Sequence, residues 1–273
     1  MSGLLKNPDV RIEPLTAADL KEIAFLQPEG WGDILPSIQD YCILDFCFPL
    51  KATIGNTIVG IGTAIFHRST AWLGHIIVHK DYRNFGIGTT ITRSLIELVQ
   101  KTPCKTILLI ATALGEPVYK KLGFDIQTHY VFFENGFIPA EGSDHIKPFE
   151  QKYVGSLLAL DHSISGENRI ELLQNHFTHA RLHIENNSLV GFYLPTLGEG
   201  LIIASTADAG LALMKNRYAD HKKICLPVDN RDGINFLLEH GFTELRRASR
   251  MVLGENFLWQ ASKMFSRIGG NLG

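Results

Sequence analysis

The stretch of this chain best suited to chemistry is Arg83-x-x-Gly86-x-Gly88-Thr89. Glycines let an anionic group come close to the backbone, and a helix beginning here would offer unpaired amides at the positive end of its dipole. Arg83 adds a charge that it cannot lose. Together these features fit a pyrophosphate. The glycine spacing is not that of a dinucleotide-binding turn, and no G-K-[ST] follows as a Walker loop would require. Taken alone, the stretch also fits a purely structural turn. His176, His179 and His183 stand at i, i+3 and i+7 and would suit a metal if they lined one helix face. However, residues 181–185 alternate as a strand does and no carboxylate joins the three, so they read as solvated surface, with no metal expected.

The elements around the phosphate-type loop read from periodicity and turn chemistry. Residues 10–15 alternate as a first strand, and Thr16 with Asp19 makes a capping box for a helix to residue 25. Glu29-Gly30-Trp31-Gly32 is a turn, and apolar residues at helical spacing predict a second helix over 33–46. Strands follow at 51–54 and 57–66, joined by Gly55-Asn56, and at 71–79. The loop then opens a helix over 89–100. A buried strand at 106–112, a short helix closed by Gly123 and a strand over 124–134 complete the first half.

Residues 138–148 lack periodicity and are rich in turn formers, which predicts a linker between a first unit (1–138) and a second (150–273), with 139–149 joining them. The second half reads as helices over 149–160 and 167–176, strands at 181–185, 189–194 and 200–205, then alternating helix and strand to residue 253. An amphipathic pattern predicts a last helix over 256–267, packed on its own domain, with a dimer seam as the lesser reading. Val118-Tyr119-Lys120-Lys121-Leu122-Gly123-Phe124 and Phe236-Leu237-Leu238-Glu239-His240-Gly241-Phe242 echo each other between the halves, as an internal duplication would.

Composition bounds the function. The 273 residues are 45% hydrophobic and 20% charged, enough for a proper core. The net charge of −2 and pI near 6.6, without like-charged blocks, do not indicate nucleic acid or anionic membrane as partners. The longest apolar run, 107–114, is far shorter than a membrane span, which takes about 20 residues. Residues 1–11 are polar and lack an apolar signal core. Cys42, Cys47, Cys104 and Cys225 form no C-x-x-C pair, arguing against a zinc ribbon or thioredoxin-type site. A reducing, cytoplasmic setting is expected, for a monomer or homodimer.

The segment Val78-His79-Lys80-Asp81-Tyr82-Arg83-Asn84-Phe85-Gly86-Ile87-Gly88-Thr89 resembles the V-x-P-x-Y-R-x-x-G-[IV]-G-x signature of the GNAT acetyltransferase superfamily. Gly115-Glu116-Pro117-Val118-Tyr119-Lys120-Lys121-Leu122-Gly123-Phe124 resembles its later Y-x-K-x-G-F motif. The likeness covers about residues 10–135. Glu29-Gly30-Trp31 and, more weakly, residues 160–169 resemble a subgroup in which a GNAT domain is followed by a degenerate GNAT-like one. The resemblance implies an α+β fold: a mixed, mostly antiparallel sheet flanked by helices, with a smaller related unit behind it.

The resemblance also implies roles. Backbone groups of Ile77, Val78 and His79 would pair with the pantetheine arm of acetyl-CoA like an added strand. Arg83, Asn84, Phe85, Gly86, Ile87, Gly88 and Thr89 would hold its pyrophosphate. Tyr119 would sit near the coenzyme sulfur as the acid for the leaving thiolate. His75, where many members carry a carboxylate, would be the base, with a water chain as the alternative. Trp31 would line the acceptor pocket. Two departures stand out. His79-Lys80 replaces the usual x-Pro, and Ile110-Ala111-Thr112 stands where the subgroup often has Asp-Ala-Thr. The resemblance implies acetyl transfer to a primary amine of a small molecule. A non-catalytic acyl-CoA sensor or scaffold is the alternative. In the second half, Leu237 replaces Tyr119 and no R-x-x-G-x-G occurs, so that half would cover or shape the acceptor site. Asp161 and Arg169 would hold the halves together.

Overall fold

The structure, a computed structural model, describes residues 9–139, 142–218 and 224–272. Most of the polar N-terminal segment, two residues of the expected linker and the first residue of the strand read from 223 lie outside the described residues. The first half comprises β1 (Val10–Pro14), α1 (Leu20–Ile23), α2 (Leu35–Tyr41), β2 (Cys47–Ile54), β3 (Thr57–His67), β4 (Thr70–Val78), α3 (Ile87–Gln100), β5 (Thr106–Ala111), α4 (Glu116–Lys121) and β6 (Asp125–Glu134). The second comprises β7 (Ile146–Pro148), α5 (Val154–Ser165), α6 (Ile170–Leu173), β8 (Arg181–Glu185), β9 (Ser188–Leu194), β10 (Leu201–Ala204), α7 (Ala207–Tyr218), β11 (Ile224–Pro227), α8 (Arg231–Glu239), β12 (Thr243–Gly254) and β13 (Met264–Ser266).

These strands form two sheets. The larger runs β1-β2-β3-β4-β5-β12-β6-β11 and the smaller β13-β10-β9-β8-β7. All pairs are antiparallel except β4 with β5. The expected α+β architecture with a second, smaller sheet is therefore present. The order holds one departure from simple duplication: β12 of the second half lies between β5 and β6, while β6 pairs with β11. β6, the last strand of the first half, thus pairs with β11 and β12 of the second, and β12 pairs with β5 on its other side.

The echoing segments occupy equivalent helix–strand joints. Phe124 N–H bonds Tyr119 O at 3.1 Å, and Phe242 N–H bonds Leu237 O at 3.0 Å. Gly123 and Gly241 both take positive φ, the conformation that ends a helix most cheaply in glycine.

The large sheet is covered on both faces, so β4 is buried or half-buried along its whole length rather than alternating with exposed positions. Ala71 and Leu73 meet the buried row Ile87, Ile91, Leu95 and Val99 of α3, which recurs every four residues and so lies along one helix face. Trp72 points the other way, into a core shared with α1, α2 and the second half's Leu157, Ile164 and Phe192.

Several expected elements differ: the helix expected over 149–160 runs Val154–Ser165, and the linker expected over 139–149 carries β7, which pairs with β8. The helix expected over 33–46 is shorter, Leu35–Tyr41. The helix expected over 167–176 is one turn, Ile170–Leu173, followed by a 3-10 segment, Gln174–His179. The expected helix over 256–267 is instead a 3-10 turn, Ala261–Lys263, and strand β13. There Met264 joins the cluster of Tyr130 and Cys225, and Phe265 the cluster of α7 and α8. Adjacent apolar residues buried on opposite sides suit a strand, and the edge of β10 supplies the backbone partners. Leu258, counted toward the expected apolar helix face, is 92% exposed.

Candidate active site

β4 and β5 run parallel for only three residue pairs, Thr70 with Thr106, Ala71 with Ile107 and Trp72 with Leu108. Beyond Leu108, β5 pairs with β12 alone, whereas β4 stays with β3 to Val78. The β5-facing edge of residues 73–78 is therefore unpaired among the described residues. Such an edge is a template for an extended chain to add as a further strand. His79 N–H donates to Val59 O of β3 at 2.9 Å, so by strand alternation the groups of His79 and Ile77 face β3 and those of Ile76 and Val78 face the opening. Val78 O accepts from Arg83 Nε at 3.2 Å.

Inside this edge the strand carries a bulge. Ile61 pairs with Ile77 and Thr63 with Gly74, so Gly62 alone faces His75 and Ile76. His75 takes φ +48°, a left-handed conformation uncommon for a residue with a Cβ and concentrated at functional sites. Its imidazole is half-buried, with Nδ1 2.9 Å from the Tyr41 hydroxyl. Burial lowers its pKa to about 4, because a charged imidazolium would lose its hydration there. Trp31, 46% exposed, lies edge-on to it at 6.3 Å between ring centres.

The glycine loop ends the edge. A 3-10 turn, Lys80–Tyr82, is capped by His79, whose Nδ1 accepts from Asp81 N–H at 3.4 Å. Asn84 and Gly86 have φ of +67° and +78°. Gly86 is the N-cap of α3, and its carbonyl accepts from Thr90 N–H at 3.0 Å as the first bond of the helix. The amides of Ile87, Gly88 and Thr89 therefore precede the helical ladder and are free to bind an anion. A side chain built at Gly86 would meet nothing within 4 Å, so the approach to these amides is open. Arg83 is exposed beside it, Ile87 is buried as the anchor of α3, and Phe85 packs part-buried on the same core.

Tyr119 lies on α4, 8% exposed, edge-on to Phe124 at 6.0 Å. Among the described residues its hydroxyl has no hydrogen-bond partner. Burial raises its pKa to about 12, which keeps the proton on the oxygen. Glu116, at the start of the same helix, is tied to Lys120 and Ser249.

A cleft of about 520 Å³ opens between residues 25–31 and the end of β4, lined also by Lys80 and Arg83. It brings Trp31, Val78, His79 and Arg83 together, with Phe25 edge-on to His79 at 5.4 Å. Sequence reasoning missed Phe25 and Tyr41, both read only as apolar helix positions, and Asn271, which donates to the Tyr41 hydroxyl from a tail showing no signal at all.

The remaining candidates fall elsewhere. His176 bonds Thr196 at 2.8 Å from a 3-10 segment, and His183 stacks on His145 from β8, so the three histidines share no helix face. Among the described residues no group of three potential metal ligands is assembled. Asp161 and Arg169 do pair, at 2.5 Å, but both belong to the second half. Among the bonds between the halves is that of Glu167, whose Oε2 accepts from Thr70 and Trp72. Among the described residues no helix is long and apolar enough to cross a membrane.

The acetyltransferase (GNAT) family model matches residues 18–124, the span from the first helical turns to the start of β6. No curated protein matches the sequence significantly. A putative acetyltransferase from Pyrococcus horikoshii shares the fold over 100% of this chain and 99% of its own, with a TM-score of 0.82 and 23% identity. A GCN5-related N-acetyltransferase from Sphaerobacter thermophilus covers 90% of this chain and 96% of its own (TM-score 0.65, 16% identity). A tandem GNAT protein from the clavulanic acid biosynthesis pathway covers 90% and 98% (TM-score 0.59, 12% identity). At these identities the likeness is one of fold, and it extends over both sheets. The open β4 edge, the glycine loop and the match to the acetyltransferase (GNAT) family model coincide in residues 18–124.

Proposed function

We propose that the protein is an N-acetyltransferase that moves the acetyl group of acetyl-CoA to a primary amine of a small molecule, in the cytoplasm. The observation that carries this reading is the continuity of the unpaired β4 edge with the open amides at the start of α3. An extended pantetheine arm can pair with the groups of Ile76 and Val78, and the pyrophosphate then meets Ile87, Gly88, Thr89 and Arg83. Gly86 supports the fit, because a side chain there would occupy the space this anion needs.

In this reading a neutral amine nitrogen attacks the thioester carbonyl, forming the C–N bond and an oxyanion. The oxyanion re-forms the carbonyl as the C–S bond breaks. The thiolate takes its proton from Tyr119, whose raised pKa keeps it protonated and whose hydroxyl is uncommitted. The proton lost by the amine passes to water. Trp31 and Phe25 border the cleft where the acceptor enters. We further propose that the sequence divides at 139–149 into a catalytic unit and a unit that shapes the acceptor site, the latter lacking both the glycine loop and a counterpart of Tyr119.

Isothermal calorimetry with acetyl-CoA, followed by thiol release against an amine panel, tests the reading. Binding with release on one amine class supports it and names the acceptor. Binding without release would favour a sensor or scaffold, and absence of binding would overturn the assignment of the cofactor site.

A further inference from the structure

Two polar groups from distant parts of the chain, Tyr41 and Asn271, form a chain that ends on His75. Asn271 Nδ2 donates to the Tyr41 hydroxyl, and that oxygen lies 2.9 Å from His75 Nδ1. An amide nitrogen has protons to give and no acceptor capacity, and a tyrosine hydroxyl has one proton. With its oxygen accepting from Asn271 and no other acceptor for its proton among the described residues, the buried tyrosine gives that proton to Nδ1 rather than leave it unpaired. A neutral imidazole carries one N–H, so the hydrogen of His75 sits on Nε2.

The surroundings favour this arrangement. Burial holds His75 neutral to about pH 4 and raises the Tyr41 pKa, so the hydroxyl stays a donor. Asn271 is seated by close approach to Gly74, where a Cβ would meet its Cβ at 2.6 Å. The flanking Ile268 and Leu272 are buried in the core shared by both halves. Nε2 has no partner among the described residues, and the ring lies edge-on to the half-exposed Trp31.

We propose that Asn271 and Tyr41 are positioning residues that hold His75 as its Nε2–H tautomer, and that His75 serves the reaction as a hydrogen-bond donor to the thioester oxygen instead of as the base. The donor role rests on the acetyl-transfer reading, whereas the tautomer does not. The donor meets the oxygen that gains charge as the amine attacks, where losing one such group lowers kcat by about 10²- to 10³-fold. The tail of the second half thereby sets the chemistry of a residue in the first.

The test is the two-bond ¹H–¹⁵N correlation pattern of His75 in full-length, histidine-labelled protein, assigned by its loss in His75→Gln. Asn271→Asp is nearly isosteric but reverses the chain. Its carboxylate accepts from Tyr41, the tyrosine oxygen then accepts from Nδ1–H, and Nε2 loses its proton. The expected result is an Nε2–H pattern in the wild type and an Nδ1-protonated pattern in Asn271→Asp. That variant should lose about 10²-fold in kcat while acetyl-CoA affinity stays within about twofold. Tyr41→Phe, which cannot relay either polarity, should leave both tautomers populated. A wild-type Nδ1–H pattern would overturn the proposal, as would an Asn271→Asp enzyme that keeps tautomer and rate. An Nε2–H pattern in a protein that does not bind acetyl-CoA would support the positioning chain and sink the acetyl-transfer reading instead.

Discussion

The carboxylate of Glu167 accepts the indole N–H of Trp72 at 2.9 Å, inside the protein and across the two halves. The same oxygen accepts from Thr70, at the point where β4 still pairs with β5. Removing it leaves two buried donors without partners. Glu167→Ala should cost about 2–4 kcal/mol of stability, read from urea unfolding midpoints. Glu167→Gln, which keeps an accepting oxygen, should cost less than half as much. Equal losses would mean that the carboxylate charge matters more than its hydrogen bonds.

At the glycine loop, Gly86→Glu should abolish acetyl-CoA binding, by at least about 100-fold in Kd. The position has φ +78° and open space before the α3 amides, so the new side chain enters the anion's place with the wrong charge, and the left-handed backbone adds strain of about 1 kcal/mol. Calorimetry that returned the wild-type affinity would move the cofactor site elsewhere.

Tyr119→Phe removes a hydroxyl that has no internal partner, so folding should be unchanged within about 0.5 kcal/mol. Turnover should fall by about 10²-fold or more with acetyl-CoA affinity retained, as loss of a general acid predicts. Steady-state rates on the acceptor found by the amine panel would decide this. An undiminished kcat would take Tyr119 out of the mechanism.

Acid should destabilise the protein through two neutral histidines. Burial lowers the pKa of His67 to about 3 and that of His75 to about 4. Above pH about 6.5 neither state binds these protons, and stability is independent of them. Between there and pH 4 the unfolded chain takes up both and the folded chain neither, so stability falls as pH falls, by at most about 2.7 kcal/mol per pH unit. Both ring nitrogens of His67 are buried without partners, so His67→Phe should roughly halve the slope of unfolding free energy between pH 6.5 and 5. A slope unaltered by that substitution would locate the acid sensitivity in other groups.

Much of the site is local in sequence and was legible there. The Arg83–Thr89 loop needs only positive φ at Asn84 and Gly86 followed by a helix with an apolar row, and all of these are written in adjacent residues. The Tyr119–Phe124 and Leu237–Phe242 joints were likewise legible as a pair, because a glycine-ended helix leading into a strand is a local device. The expected helix over 256–267 shows the limit. Its apolar spacing suits a helix face, yet Met264 and Phe265 serve two different clusters and the free edge of β10 pulls them into a strand. Short apolar patterns do not say which edge waits for them.

What the sequence by itself determined is therefore the chemistry available at each point: the anion-binding loop, a tyrosine at the end of a short helix, an imidazole on a buried strand and an apolar core large enough for two sheets. Only the tertiary structure decided what those groups do to one another. The opening beyond Trp72, the insertion of β12 beside β5 and the contact of Asn271 with Tyr41 join residues up to 230 positions apart. Hydrophobic patterning is blind to such separations, since it reports which faces are buried and not which partner buries them. His75 makes the difference concrete. Its place on β4 was readable, whereas which of its nitrogens carries the proton depends on a hydroxyl and an amide that the folded chain alone brings to it.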